Sequence, residues 1–228
     1  MVAKIKKCFK YSFVFKMIDK IENWIYQRKL LNNSFSLLTP NCMGGLIYHR
    51  LGVRFNSPTI DISMPTHDFM LLINNLDYYL SNDIYETESC FSYPVGVING
   101  NENLDDITIN FVHYDSFEYA REKWNQRKTR IDKDNLYIIV CDLDDIYTDD
   151  IAKAGFISDE DLLLFESIKC NNKAMLTRDK SRNQEYAYYI EPRYGKPFPL
   201  TYMNRDILGL NVFEKHFDFV SFINKGAK

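Results

Sequence analysis

Residues 35–52, FSLLTPNCMGGLIYHRLG, decide the fold. A short apolar run from Phe35 to Leu38 reads as a strand, Pro40 stops it, and from Met43 to Leu51 apolar residues recur at helical spacing until Gly52. A strand that passes through a short turn straight into a helix is the beginning of an α/β layer. The turn itself carries Cys42 and leads into Gly44 and Gly45. At a fresh helix N-terminus the unpaired N–H groups and the helix dipole favour an anion or a thiolate, and the two glycines would let a ligand approach the backbone closely. A simpler account keeps Cys42 as a small buried apolar residue and the glycines as a tight turn or packing device.

Outward from this stretch the pattern alternates. Thr59 to Ser63 reads as a strand and Asp68 to Leu80 as a helix with Phe69, Leu72, Ile73, Leu76 and Leu80 on its apolar side. Tyr93 to Ile98 and Ile107 to Val112 read as strands, and Ser116 to Arg130 as a charged helix capped by Ser116. Tyr137 to Cys141 is a continuous apolar run, the mark of a parallel strand covered on both faces. The predicted fold is therefore α/β, a layered domain with a largely parallel sheet flanked by helices and preceded by an N-terminal amphipathic helix. Beyond Asp145 the pattern loosens into Asp-rich connections, weak strands at Ala174 to Leu176 and Ala187 to Ile190, a Pro-rich turn from Pro192 to Pro199, and a last element through Phe213 to Ile223. The expected organisation is a helix over 1–32 and a single domain over 33–228, with a smaller C-terminal lobe from about 146.

The 228 residues suffice for a full core. Hydrophobic residues make up 46% and charged residues 26%, which is ordinary for a globular protein, while 16 Tyr and 16 Phe give a high aromatic content. A net charge of −3 argues against nucleic acid as a partner. Five cysteines without a CxxC pair suggest neither a disulfide framework nor a zinc ribbon, so a cytoplasmic location is expected.

Between Ala3 and Leu30, Ile5, Phe9, Phe13, Met17, Ile18, Ile21, Trp24 and Ile25 recur at roughly helical spacing, with lysines on or near the other faces. Lys16, Asp19 and Lys20 interrupt the apolar run before a signal-peptide core can form. Such a helix either docks on its own domain, the commoner case, or makes peripheral contact with an anionic surface such as the inner face of the membrane through residues 3–30.

The stretches NCMGGLIYHRLGVRFNSPTIDI, DFMLLINNLDYYL, YPVG, ITINFVHYDSFEYAREKWNQRKTRI and DNLYIIV together resemble a bacterial family of unknown molecular function, domain of unknown function 1919, whose members are commonly labelled exopolysaccharide biosynthesis protein. The resemblance runs from about Phe35 to Leu176. It implies a cytoplasmic α/β protein of capsule or lipopolysaccharide synthesis, with a sugar-containing small molecule or lipid-linked glycan as its partner, and identifies no reaction. The family's motif falls here on Asn41, Cys42, Gly44, Gly45, Tyr48, Ser57, Pro58, Thr59, His113, Tyr114, Trp124, Arg127, Arg130 and Asn135. Met43 stands where many relatives carry Trp, which removes a stacking group there.

Three constellations carry chemistry. Cys42 would act as a nucleophile if a base or the helix N-terminus activated it. His49 lies seven residues on, about 10 Å of helical rise and too far for a direct hydrogen bond, so it is assigned to ligand binding, and His113 at the end of a strand is the expected general base. The helix 116–130 sets Trp124, Arg127 and Arg130 three residues apart, close to one face, suited to stacking on a planar group and to bidentate contact with phosphate. With Asn41, Gly44, Gly45, Tyr48, Ser57, Thr59 and Tyr114 they make the expected binding surface. Finally, LYIIVCDLDD ends an apolar strand on Asp142 and Asp144, an Asp-x-Asp like the divalent-metal motif of many glycosyltransferases. The expected function is a transferase of surface-polysaccharide synthesis acting on an activated or lipid-linked sugar. Acyl transfer suits Cys42 and His113, and metal-dependent glycosyl transfer suits Asp142 and Asp144. A noncatalytic partner of capsule machinery is the alternative of a different class.

Overall fold

The computed structural model describes residues 13–141, 158–178, 186–189, 198–199 and 217–225. Asp142, Asp144 and His216, and most of the Pro-rich turn, lie outside these residues. In chain order the described elements are α1 (Phe13–Lys29), β1 (Ser36–Leu38), α2 (Met43–Leu51), α3 (Thr66–Asn74), α4 (Leu76–Ser81), β2 (Tyr85–Thr87), β3 (Val95–Ile98) and β4 (Ile107–Asn110). They continue with α5 (Phe117–Lys128), β5 (Leu136–Cys141), α6 (Asp159–Ser167), β6 (Lys173–Arg178), β7 (Tyr186–Tyr189), β8 (Phe198–Pro199) and α7 (Phe219–Asn224).

The main sheet has the order β1-β5-β6-β7-β8. Its first three strands are parallel, with Leu37 opposite Tyr137 and Ile139 opposite Ala174, and β7 and β8 add antiparallel. Helices bury both faces of the parallel part, so successive residues alternate between two cores. Leu37, Tyr137, Ile139 and Ala174 face a core shared with α2 and α7, against which Tyr26 and Leu30 also pack. Leu38, Ile138, Val140 and Met175 face a second core shared with α3, α5, α6 and the small antiparallel sheet β2-β3-β4. The continuous apolar run YIIV is the sequence consequence of this double burial.

Local chemistry sets the element ends. Ser116 caps α5 by accepting from Tyr119 N–H at 3.3 Å, and Ser158 caps α6 by accepting from Asp161 N–H at 3.0 Å, with acids filling the first turn of α6. At the other end of α6 the Lys173 ammonium donates to the carbonyls of Phe165, Glu166 and Ile168, the first of which also accepts the Ile168 N–H. Gly52 ends α2 with φ of 65°, where a Cβ would stand 2.7 Å from the Gln27 side chain of α1.

Three expectations are corrected. Thr59 to Ser63 forms no strand, because Asp61 sits at φ of 62° and cannot extend; only Ser63 bridges antiparallel to Asn110. The helix expected from Asp68 to Leu80 breaks at Asn75, whose side-chain amide donates back to Leu71 O at 3.1 Å. And Asp159–Ser167, in a segment expected to be acidic connection, is a helix.

Candidate active site

The turn between β1 and α2 is built by short polar side chains. Asn41 Oδ1 accepts from Met43 N–H at 3.0 Å, and Thr39 Oγ1 accepts from Gly44 N–H at 3.1 Å while donating to Asn41 O at 2.8 Å. Two orphan donors of the helix N-terminus are thus satisfied by the protein itself. The glycines serve this packing: a Cβ on Gly44 would lie 2.7 Å from Thr39 Oγ1, and one on Gly45 would lie 3.3 Å from Asp61 Oδ1. Asn41 and Gly44 therefore shape the turn, and the anion cradle expected there loses those two donors.

Cys42 is half-buried at the start of α2, and His113 is exposed in the turn after β4. His113 Nε2 lies 3.1 Å from Cys42 Sγ, while Ile62 O is 3.8 Å from the same sulfur. β1 and β4 belong to different sheets. The loop 57–64 brings them together: Ser63 exchanges two backbone hydrogen bonds of 2.8 Å with Asn110, and Met64 N–H donates to Pro40 O at 2.7 Å. The contact is thus made across a seam between sheets rather than along the carboxyl edge of one.

Burial pushes the Cys42 thiol up to about 11, and the Asp61 carboxylate adds to the rise. This corrects the expectation of a thiolate favoured by the helix N-terminus; desolvation and a nearby negative charge outweigh the dipole. The resting group is a neutral thiol in contact with an imidazole, an arrangement in which the proton leaves as the sulfur attacks. Asp61 was missed in the sequence. Its signals are faint there, since an Asp in the left-handed region looks like any loop Asp.

A second cluster surrounds the half-buried Phe55. The Arg127 guanidinium lies 5.4 Å from the Phe55 ring centroid, Arg130 Nη1 donates to Phe55 O at 3.2 Å, and His49 packs edge-on to the ring at 5.3 Å. Arg54 precedes Phe55 in the chain and is exposed. Partial burial, and then the charges of Arg54 and Arg127, hold the Arg130 guanidinium below its usual range. Among the described residues none of these three arginines forms an ion pair. Arg127 joins the two clusters, because its Nη1 donates to Tyr114 Oη at 2.6 Å and to Ile60 O at 3.3 Å, the neighbours in sequence of His113 and Asp61.

Several expected ligand contacts are instead structural. Tyr48 is fully buried, stacked on Phe35, and its hydroxyl accepts from Leu37 N–H at 2.9 Å. Trp124 is 1% exposed in the second core, so it presents no ring to a ligand, and among the described residues its indole N–H has no hydrogen-bond partner. Ser57 and Thr59 are buried, their hydroxyls 3.0 Å apart, and Thr59 Oγ1 accepts from Thr39 N–H at 3.2 Å, which ties the loop to the end of β1. Tyr114 is 8% exposed, and its hydroxyl donates to Ile60 O at 3.0 Å. Among the described residues no group of three or more His, Cys, Asp or Glu gathers to hold a metal ion. No helix there is long and apolar enough to cross a membrane.

Fold and site together define a mixed α/β protein with a thiol and an imidazole in contact between two sheets. The chain belongs to the family described as Domain of unknown function (DUF1919), whose model matches residues 13–224. A Haemophilus influenzae protein named "Uncharacterized protein" is 33% identical over 169 residues, 74% of this chain and 74% of that one. The family is the one its motifs resemble, and neither description states a reaction.

Proposed function

We propose that this protein is a transferase of bacterial surface-polysaccharide synthesis that moves an acyl group through Cys42 onto an activated or lipid-linked sugar. The observation that carries the reading is the 3.1 Å approach of His113 Nε2 to Cys42 Sγ on a thiol that is only half-buried. His113 takes the Sγ proton as sulfur attacks the acyl carbonyl of a thioester donor, and returns it to the departing thiolate. An acceptor hydroxyl then gives its proton to His113 and its oxygen takes the acyl carbon, and the released Cys42 thiolate recovers the proton. The cationic surface of Arg54, Arg127 and Arg130 around Phe55 suits the phosphate of such a sugar. The polysaccharide setting rests on the resemblance of the motifs.

The test is intact-mass spectrometry after incubation with acyl-coenzyme A thioesters of several chain lengths. One acyl group should appear on Cys42, disappear in Cys42→Ser, and form at least about a hundredfold more slowly in His113→Ala. Wild-type protein that takes no acyl group from any thioester offered sinks the reading.

A further inference from the structure

We propose that the solvent-facing side of α1 is a docking surface for an anionic lipid bilayer. The helix has two unlike faces. One packs on the domain: Tyr26 lies 5.0 Å from the Phe219 ring, Arg50 Nη1 donates to Asn23 Oδ1 at 3.0 Å, and Leu30 packs on the first core. The opposite face carries Met17, Ile21, Trp24 and Ile25, spaced by three and four residues, with exposures of 48%, 50%, 55% and 37%. Leu31, just beyond the helix, is 74% exposed. Half of the ten large hydrophobic side chains that stand out on the surface among the described residues thus lie within residues 17–31. Scattered exposed apolar residues are ordinary, but a stripe along one helix face is a binding surface.

Charge selects the occupant. Residues 1–31 carry eight Lys and Arg against two Asp and Glu, a net of +6 in a chain whose total is −3, so the remainder carries −9. Lys20 and Arg28 are exposed on the helix itself, and the Arg28 guanidinium lies over the Trp24 ring at 4.5 Å. An indole with a cation over its face fits the headgroup level of a bilayer, where the apolar stripe enters the acyl boundary and the basic side chains meet anionic headgroups. The acidic remainder would be held off the same surface, which fixes the orientation of the bound protein. This surface is independent of the chemistry at Cys42.

The chain carries its own reporter. It has two tryptophans, and Trp124 is buried, so an emission change on adding vesicles reports Trp24. With full-length protein, vesicles of phosphatidylglycerol and phosphatidylcholine at low salt should blue-shift the emission and shield Trp24 from iodide. Pure phosphatidylcholine vesicles should do neither, and high salt should reverse the binding. The solvent-facing double variant Ile21→Ser, Trp24→Ser should lose at least about tenfold in vesicle affinity by cosedimentation with an unchanged thermal melt. Replacing Lys4, Lys6, Lys7 and Lys10 by Gln should weaken binding while leaving the stripe intact. The proposal is overturned if wild-type protein ignores anionic vesicles at low salt, or if the serine variant binds them as tightly. A concentration-dependent dimer that the serine variant dissolves would overturn it too, because a second copy then covers the stripe.

Discussion

Cys42 and Cys170 are both free, half-buried thiols near a backbone carbonyl, Ile62 O at 3.8 Å for the first and Leu136 O at 3.3 Å for the second. Burial raises both. Their neighbours then differ. The backbone at Asn172 and the ammonium groups of Lys173 and Lys225 favour a thiolate at Cys170, yet among the described residues no imidazole reaches it. Asp61 opposes a thiolate at Cys42, where an imidazole is in contact. The contrast separates two properties often run together. A positive neighbourhood makes a standing thiolate, whereas a proton acceptor within hydrogen-bond reach allows a neutral thiol to attack as it ionises. Of these two cysteines, among the described residues, Cys42 has the second.

The widest gap between the two cysteines should appear under substitution. Cys42→Ser should cut acylation by acyl thioesters at least about a hundredfold, and Cys170→Ser should leave its rate within about twofold; intact-mass kinetics on both variants checks this, and equal losses would erase the distinction. Next in size is the turn that presents Cys42. Gly44→Ala pushes a methyl group against Thr39 Oγ1 and should cost about 1–3 kcal/mol in urea unfolding, together with a loss of acylation as the sulfur moves away from His113.

A smaller effect concerns ionisation. With its thiol at about 11, Cys42 should be alkylated about tenfold faster per pH unit from pH 7 to 10, without a plateau. Asp61→Asn removes a carboxylate that raises Cys42, so labelling at pH 8 should speed up several-fold while Cys170 labelling stays constant. Peptide mapping of iodoacetamide adducts reads both sites at once.

The last effect is on stability in alkali. The folded Cys42 thiol lies near 11 against 9.0 for an unperturbed thiol, so between those values the unfolded chain releases a proton that the folded chain keeps. Folding stability should therefore fall as pH rises through this window, and Cys42→Ser should flatten the slope seen in chemical denaturation.

Much of the fold was legible because its strongest signals are local. Met43 to Leu51 and Ser116 to Lys128 carry periodicity and end signals, and Tyr137 to Cys141 carries a run that only a doubly covered strand needs. Tyr85–Thr87 left no trace because all three residues of this edge strand are exposed and no apolar alternation marks them. At the site, the turn residue Cys42 and the strand-end residue His113 were both readable as chemistry-bearing positions. What brings them together was not, since it depends on the Ser63 to Asn110 bridge and on a left-handed Asp61. Tyr48 and Trp124 illustrate the opposite error. Motif membership names a residue without saying which way it points, and both point inward, Tyr48 to hold β1 and Trp124 to fill the second core.

The last turn of α1 is completed by almost the last described residue. Asn224 Nδ2 donates to Lys29 O at 2.8 Å and its Oδ1 accepts from Leu31 N–H at 2.8 Å, while Asn32 and Asn135 exchange a pair of amide hydrogen bonds of 2.9 Å beside them. The separation of 195 residues between Lys29 and Asn224 has a kinetic meaning. During synthesis the helix emerges before α7, and although α2 covers part of its inner face, the part that meets Phe219 and the Asn224 side chain stays open until α7 has left the ribosome. The core between them closes last. Part of the amphipathic helix thus waits for the far end of the chain, and a release that stalls before residue 224 leaves it without its clasp.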